Sequence, residues 1–144
     1  MRVIVQRVHE ASVTVDSSVV GRIGKGYLLY IGVSVRDEEK TAIKMAEKIH
    51  NLRIFEDENG KMNLSIDKVE GSILAISQFT LYGDTKGNNR PSFIDAARPE
   101  QAEPLYQTVV DELKKFHHVE KGVFGANMQI QSINDGPVTI WIEI

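Results

Sequence analysis

Met128-Gln129-Ile130-Gln131-Ser132-Ile133 and Val138-Thr139-Ile140-Trp141-Ile142-Glu143-Ile144 flank a break at Asn134-Asp135-Gly136-Pro137. Apolar residues at 138, 140, 142 and 144, and at 128 and 130 before Ser132, give each run the alternation of a strand. The break holds a proline that donates no backbone hydrogen bond and a glycine with no side chain to block an approaching group. A Gly-Pro bond also lacks the strong trans preference of other peptides, cis costing only about 0.5–1 kcal/mol. Such a pair presents bare carbonyl oxygens to a group outside the sheet. Read alone, it is a tight hairpin turn between two strands. A recognition turn needs a matching site elsewhere in the chain.

Working outward, Arg2 to Glu10 alternates as a first strand, and Ser12 to Val15 with Val19 to Ile23 reads as a hairpin around Asp16-Ser17-Ser18. The apolar run Tyr27 to Val33 suits a strand buried on both faces. Asp37 is placed as the N-cap of a helix from Glu38 to about Asn51, with Ala42, Met45, Ala46 and Ile49 as its buried stripe. Asn59-Gly60 turns a hairpin between Leu52–Phe55 and Lys61–Leu64. Ser72 to Gln78 is a further strand, followed by a polar, glycine-rich loop from Gly83 to Asn89. A second helix is expected over Pro99 to His117, with Ala102, Tyr106, Val109, Val110, Leu113 and Phe116 inward and Pro104 interrupting one backbone bond. A short strand near His118 to Val123 precedes the closing runs. Mostly antiparallel strands with two main helices give an α+β fold in a single domain, residues 1–144.

At 144 residues the chain is long enough to bury about 70% of its unfolded surface in one core. The absence of cysteine excludes disulfides, thiol nucleophiles and thiolate metal sites. A net charge of -3 argues against broad electrostatic binding to DNA, but not against gripping one RNA end through a local basic patch. No run has the ~18 apolar residues of a membrane span, and no leader pattern precedes the first strand, so the expected location is the cytoplasm.

Candidate chemistry falls in a few places. His9, His50, His117 and His118 are the available imidazoles, none in a hydrolase elbow or a metal-ligand spacing, and no metal is expected. Ser77-Gln78-Phe79-Thr80-Leu81 ends an apolar strand abruptly in polar residues. Backbone N–H groups at such an end could hold an oxyanion, or the hydroxyls could simply cap the strand. Lys86 with Arg90, and Arg98 with Lys121, are basic pairs able to meet phosphate or to lie solvated. Arg90-Pro91-Ser92-Phe93 sets an aromatic beside an arginine, as base stacking uses. Lys121-Gly122-Val123-Phe124-Gly125-Ala126 allows close approach to a flat ligand, or a tight turn around a core phenylalanine.

Together Val5-Gln6-Arg7-Val8, Ser77 to Leu81, Arg90 to Phe93, Gly122-Val123-Phe124-Gly125-Ala126-Asn127-Met128 and Asn134 to Thr139 resemble, in order and spacing, the D-aminoacyl-tRNA deacylases over essentially the whole chain. The resemblance implies a cytoplasmic homodimer, a compact β-barrel-like sheet with helices outside, and no cofactor. It implies hydrolysis of the ester between a D-amino acid and the terminal adenosine of tRNA, and removal of glycine mischarged on alanine tRNA. By the same resemblance Gly136-Pro137 is cis and enters the other subunit's pocket, where its carbonyl oxygens would collide with an L side chain. Arg7 would support that turn, and Ser77, Gln78, Phe79 and Thr80 would line the reacting end. Phe124 and Met128 would line the adenosine side. The family's chemistry is thought to use the terminal 2′-hydroxyl to help activate water; the rival mechanism makes Thr80 a covalent nucleophile. Relatives with a trans Gly-Pro turn tolerate some L-substrates, and the Ser77-to-Leu81 sequence sets this chain with the D-specific branch. Two other classes stay open from the residues: a non-catalytic dimer that holds an RNA 3′ end, and a small-molecule acyl hydrolase, for which no Ser-His-Asp or Cys-His arrangement is present.

Overall fold

The first strand does not stop at Glu10. In the computed structural model, which describes residues 1–144, β1 runs unbroken over Arg2–Val15. Along it Val3 and Val5 are buried, then Arg7 and Val8 together, then Ala11 and Val13. The alternation breaks where the register with the last strand shifts, between Gln6 and Val8 and between Val8 and Glu10. One strand thereby serves two cores. Val3 and Val5 join the large cluster beneath the helices; Val8, Ala11 and Val13 join a smaller cluster on the other side of the sheet.

β2 (Ser18–Ile23) hairpins onto the end of β1, and β3 (Gly26–Gly32) pairs with its beginning. α1 (Glu39–His50) follows, then a small hairpin of β4 (Arg53–Glu56) and β5 (Met62–Ser65). β6 (Ser72–Ser77) lies parallel to β3, and β7 (Val119–Lys121) parallel to β6, with α2 (Pro99–Lys114) between them in sequence. The order is β2-β1-β3-β6-β7, and β8 (Gln129–Glu143) takes the other edge of β1. Both helices lie on one face because parallel neighbours need long crossovers. Gly21 of β2 is buried where a Cβ would stand 3.1 Å from the Lys121 carbonyl and 3.2 Å from Leu74. The sheet thus curls into a nearly closed barrel, and the fold is α+β with helices outside. The central strands alternate between cores: Tyr27, Leu29, Ile73 and Ala75 face the helices, whereas Leu28, Leu74 and Ile76 face the barrel interior.

Several expectations need correction. Asp37 does not cap α1; its carboxylate accepts from the terminal ammonium at 2.6 Å and from the Ser34 N–H at 2.7 Å. Glu38 is the N-cap, its N–H donating to Thr41 Oγ1 at 3.1 Å in one half of a capping box. α2 ends at Lys114 rather than His117, which leaves Phe116 63% exposed and stacked on His50 instead of buried. Antiparallel pairing prevails around β1, but β3, β6 and β7 form a parallel trio.

The largest difference concerns the closing stretch. Its two runs are not a hairpin. They are one strand, β8, and both halves pair antiparallel with β1: Gln129 to Ile133 with Thr14 to Glu10, and Thr139 to Glu143 with Gln6 to Arg2. Asn134 stands opposite Val8, so Asp135 to Val138 face Arg7 alone and bulge out of the ladder.

Candidate active site

The C-terminal ends of the parallel neighbours β3 and β6 open onto a cavity of about 610 Å³. Ile31 comes from the first and Val33 from just past its end, and Ile76 and Ser77 come from the second. Past Ser77 the chain turns sharply, held by the Gln78 N–H donating to the Ile31 carbonyl at 2.8 Å. The corner fits because Gly32 lies under it, where a Cβ would stand 3.0 Å from both the Gln78 carbonyl oxygen and Leu81 Cβ. A single 3-10 turn then covers Phe79–Tyr82, and its first internal bond is Leu81 N–H to Gln78 O at 3.4 Å. The N–H groups of Phe79 and Thr80 precede that bond and have no partner within the turn. Adjacent free donors are what an oxyanion site uses, and of these two residues Phe79 belongs to the cavity lining.

Ser77, Gln78 and Phe79 line the cavity with Phe124 and Met128. Thr80 is exposed and outside the lining, and its hydroxyl accepts from the Gln78 side-chain amide. Phe79 meets Phe93 edge-on at 5.1 Å, and both rings form the wall. Across the cavity, Gly122 is buried, and a Cβ there would overlap Met128 Sδ, so glycine gives the methionine its seat. Gly125, with φ of +76°, closes the turn that presents Phe124. Phe124 also packs toward Tyr106, with centroids 6.0 Å apart, so it serves core and cavity together. Burial raises the Tyr106 phenol well above its ordinary pKa. Its hydroxyl is a fixed donor to the Ala75 carbonyl at 2.9 Å, not an acid.

Arg98 is the single charged residue in the lining, and no histidine, aspartate or glutamate reaches it. The four imidazoles are accounted for elsewhere. His9 lies 3.4 Å from Asp135, His118 lies 3.4 Å from Glu120, and His50 and His117 share a contact of 2.8 Å. Lys86 and Arg90 sit on the loop pinned by Asp84 and Ser92, away from the lining.

Gly136 and Pro137 are outside their own chain's cavity as well. Both are exposed, and the bond between them is cis. Asn134 holds the base of the bulge, its amide donating to the Arg7 carbonyl at 2.9 Å and to the Val138 carbonyl at 3.1 Å. The Thr139 hydroxyl lies 3.3 Å from both Asn134 Oδ1 and the Pro137 carbonyl. Beneath the bulge Arg7 is buried, donating to the Ile54 carbonyl at 2.7 Å. Its Nε lies 3.0 Å from an Asp135 carboxylate oxygen, close enough for an ion pair though not aligned as a hydrogen bond.

The model of the D-Tyr-tRNA(Tyr) deacylase family matches residues 4–143. The chain belongs to that family. A D-aminoacyl-tRNA deacylase of Symbiobacterium thermophilum is 54% identical over 144 residues, covering 99% of this chain and 95% of the relative. One of Bacillus thuringiensis is 56% identical, with 99% of each covered. Among solved structures, a c-Myc DNA Unwinding Element Binding Protein superposes with a TM-score of 0.94 and 42% identity, over 100% of this chain and 99% of the other. A probable eukaryotic D-amino acid tRNA deacylase superposes with a TM-score of 0.84 at 19% identity, over 99% and 98% of the two chains, a likeness of fold.

Within this deacylase chain, sequence reasoning brought together Ser77 to Phe79, Phe124 and Met128. It missed the staple made by Asn134 and the wall made by Tyr106. The asparagine could have been suspected, because asparagine side chains commonly replace lost backbone partners beside irregular strand segments. Tyr106 read only as core, and nothing in a helical stripe tells a core ring from a cavity wall.

Proposed function

We propose that the protein hydrolyses the ester joining a D-amino acid to the terminal adenosine of tRNA, releasing amino acid and tRNA. The observation that carries this reading is the separation of two halves within one chain. A cavity is lined at one end by Ser77, Gln78 and Phe79, and an exposed Gly136-Pro137 bulge lies outside it. A second copy of the chain brings them together, its bulge entering the neighbour's cavity. Ile133 and Trp141, half exposed on the same strand as the bulge, favour such an apolar association. Arg7 and Asn134 hold the bulge so that the Gly136 and Pro137 carbonyl oxygens meet the substrate's α-carbon. An L side chain collides there, a D side chain points away, and glycine, with nothing to reject, is removed from alanine tRNA as well.

Adenosine lies toward Phe124 and Met128, and the ester carbonyl toward Phe79 and Thr80. Water attacks the carbonyl carbon, the N–H pair holds the oxyanion, and the terminal ribose 2′-hydroxyl assists the water. The lining supports this scheme because it contains no carboxylate or imidazole to act as base. Rate enhancement then comes from orientation and fixed dipoles. Thr80 is poorly suited to nucleophilic attack, since its hydroxyl is engaged by Gln78. The name of the 42%-identical solved structure raises DNA as another partner. With a net charge of -3 the chain lacks the cationic excess that duplex binding draws on, and the acceptor end of tRNA is the assigned partner. A tRNA substrate supports a cytoplasmic location; no helix is long and apolar enough to cross a membrane.

Single-turnover release of D-tyrosine from D-tyrosyl-tRNA tests the reading. A terminal 2′-deoxyadenosine should slow release on the order of a hundredfold, whereas Thr80→Ala should retain most activity. The opposite pattern would support the covalent mechanism. Binding without release would make the protein a holder of RNA ends, and hydrolysis of simple D-amino-acid esters would make it a small-molecule hydrolase.

A further inference from the structure

Beside the main cavity lies a second one of about 300 Å³. Glu103 and Gln107 from α2 and Lys121 from β7 form its polar wall; Tyr106, Val123 and Phe124 form its apolar wall. Tyr106 and Phe124 line both cavities, whereas Ser77 and Phe79 line only the first. The pair of rings is therefore a partition at the end where the proposed substrate places its adenosine. An RNA strand with its ester at Phe79 and its last ribose near Phe124 must continue somewhere, and the second cavity is the adjoining space.

We propose that this cavity binds the base of the penultimate nucleotide, which in tRNA is a cytosine. The proposal rests on the reading of the main cavity given above. The chemistry of the wall selects the ligand. A phosphate would meet Lys121 but also the Glu103 carboxylate, which repels it. A neutral ring carrying donors on one side and acceptors on the other satisfies both. The cytosine amino group donates to Glu103, while its carbonyl oxygen and ring nitrogen accept from Lys121. Uracil has a carbonyl where cytosine has the amino group, so it would set oxygen against carboxylate. The Lys121 ammonium already donates to Gln107 Oε1 at 2.6 Å, which fixes it against the wall with further protons to donate. Phe124 offers the base a ring to lie against, as single-stranded RNA readers do.

Minihelix RNAs charged with D-tyrosine and differing only in the penultimate base, cytosine or uracil, provide the test. The cytosine substrate should show a kcat/KM about tenfold higher, and Glu103→Gln should shrink the ratio to about threefold or less, because an amide can donate to uracil. Competition between the same RNAs uncharged reads the preference without hydrolysis. Cytosine preference in binding, with no release from either charged RNA, would keep the subsite and sink the hydrolase. Release at equal rates from both RNAs would overturn the subsite, as would a preference unchanged in Glu103→Gln.

Discussion

Arg7 is tied both to the small β4–β5 hairpin and to the foot of the bulge. It is 5% exposed, yet its guanidinium donates to the Ile54 carbonyl and pairs with Asp135 at the foot of the bulge. It also crowds Gly136, where a Cβ would stand 3.0 Å from Nη2, so a side chain there would press on the guanidinium. Truncation leaves the Ile54 carbonyl without that donor and Asp135 without its cation. Arg7→Met should therefore cost about 2–4 kcal/mol in chemical denaturation. If positioning of the bulge is its role in function, the same variant should lose discrimination between D- and L-tyrosyl-tRNA before it loses hydrolysis. At this scale the sequence was readable. Arg7, Ser77 to Thr80 and the Asn134-to-Thr139 motif stand out through the family resemblance of their motifs, and of Ser77 to Thr80 the cavity takes Ser77, Gln78 and Phe79 but not Thr80.

At the level of elements legibility fell away. Whether Gln129–Ile133 and Thr139–Glu143 pair with each other or with a third strand depends on contacts across the whole chain. Alternating patterns are identical in both cases, so the bulge was read as a hairpin turn. Phe116 was misread for a related reason. Its helical phase pointed inward, but α2 ends before it, and the ring stacks on His50 at 4.4 Å instead. That terminus makes a prediction of its own. The pKa of His117 is lowered, chiefly by burial and then by the neighbouring His50, with Asp67 opposing. Below the ordinary histidine value of about 6.5 the unfolded chain takes up a proton that the folded chain resists. The contribution of His117 to stability is therefore complete above that pH and is lost as pH falls through the lowered folded value. Urea midpoints measured from pH 8 to pH 5 should decline on the acid side, and less steeply in His117→Gln. Equal slopes in the two proteins would show that His117 does not carry the effect.

Across the whole molecule, the cavity and the Gly136-Pro137 bulge lie apart on one chain, so the proposed chirality filter needs a second copy. Composition could exclude thiol and metal-thiolate chemistry, yet it could not reveal this division, which exists only once the barrel has closed. In the proposed mechanism a second copy's bulge turns a generic ester site into one that reads chirality. Single-turnover deacylation of the same tRNA charged with D-tyrosine or with L-tyrosine tests it most directly. Rapid release of D-tyrosine is expected, with the L-ester no less stable than in buffer. Comparable release of both would contradict it.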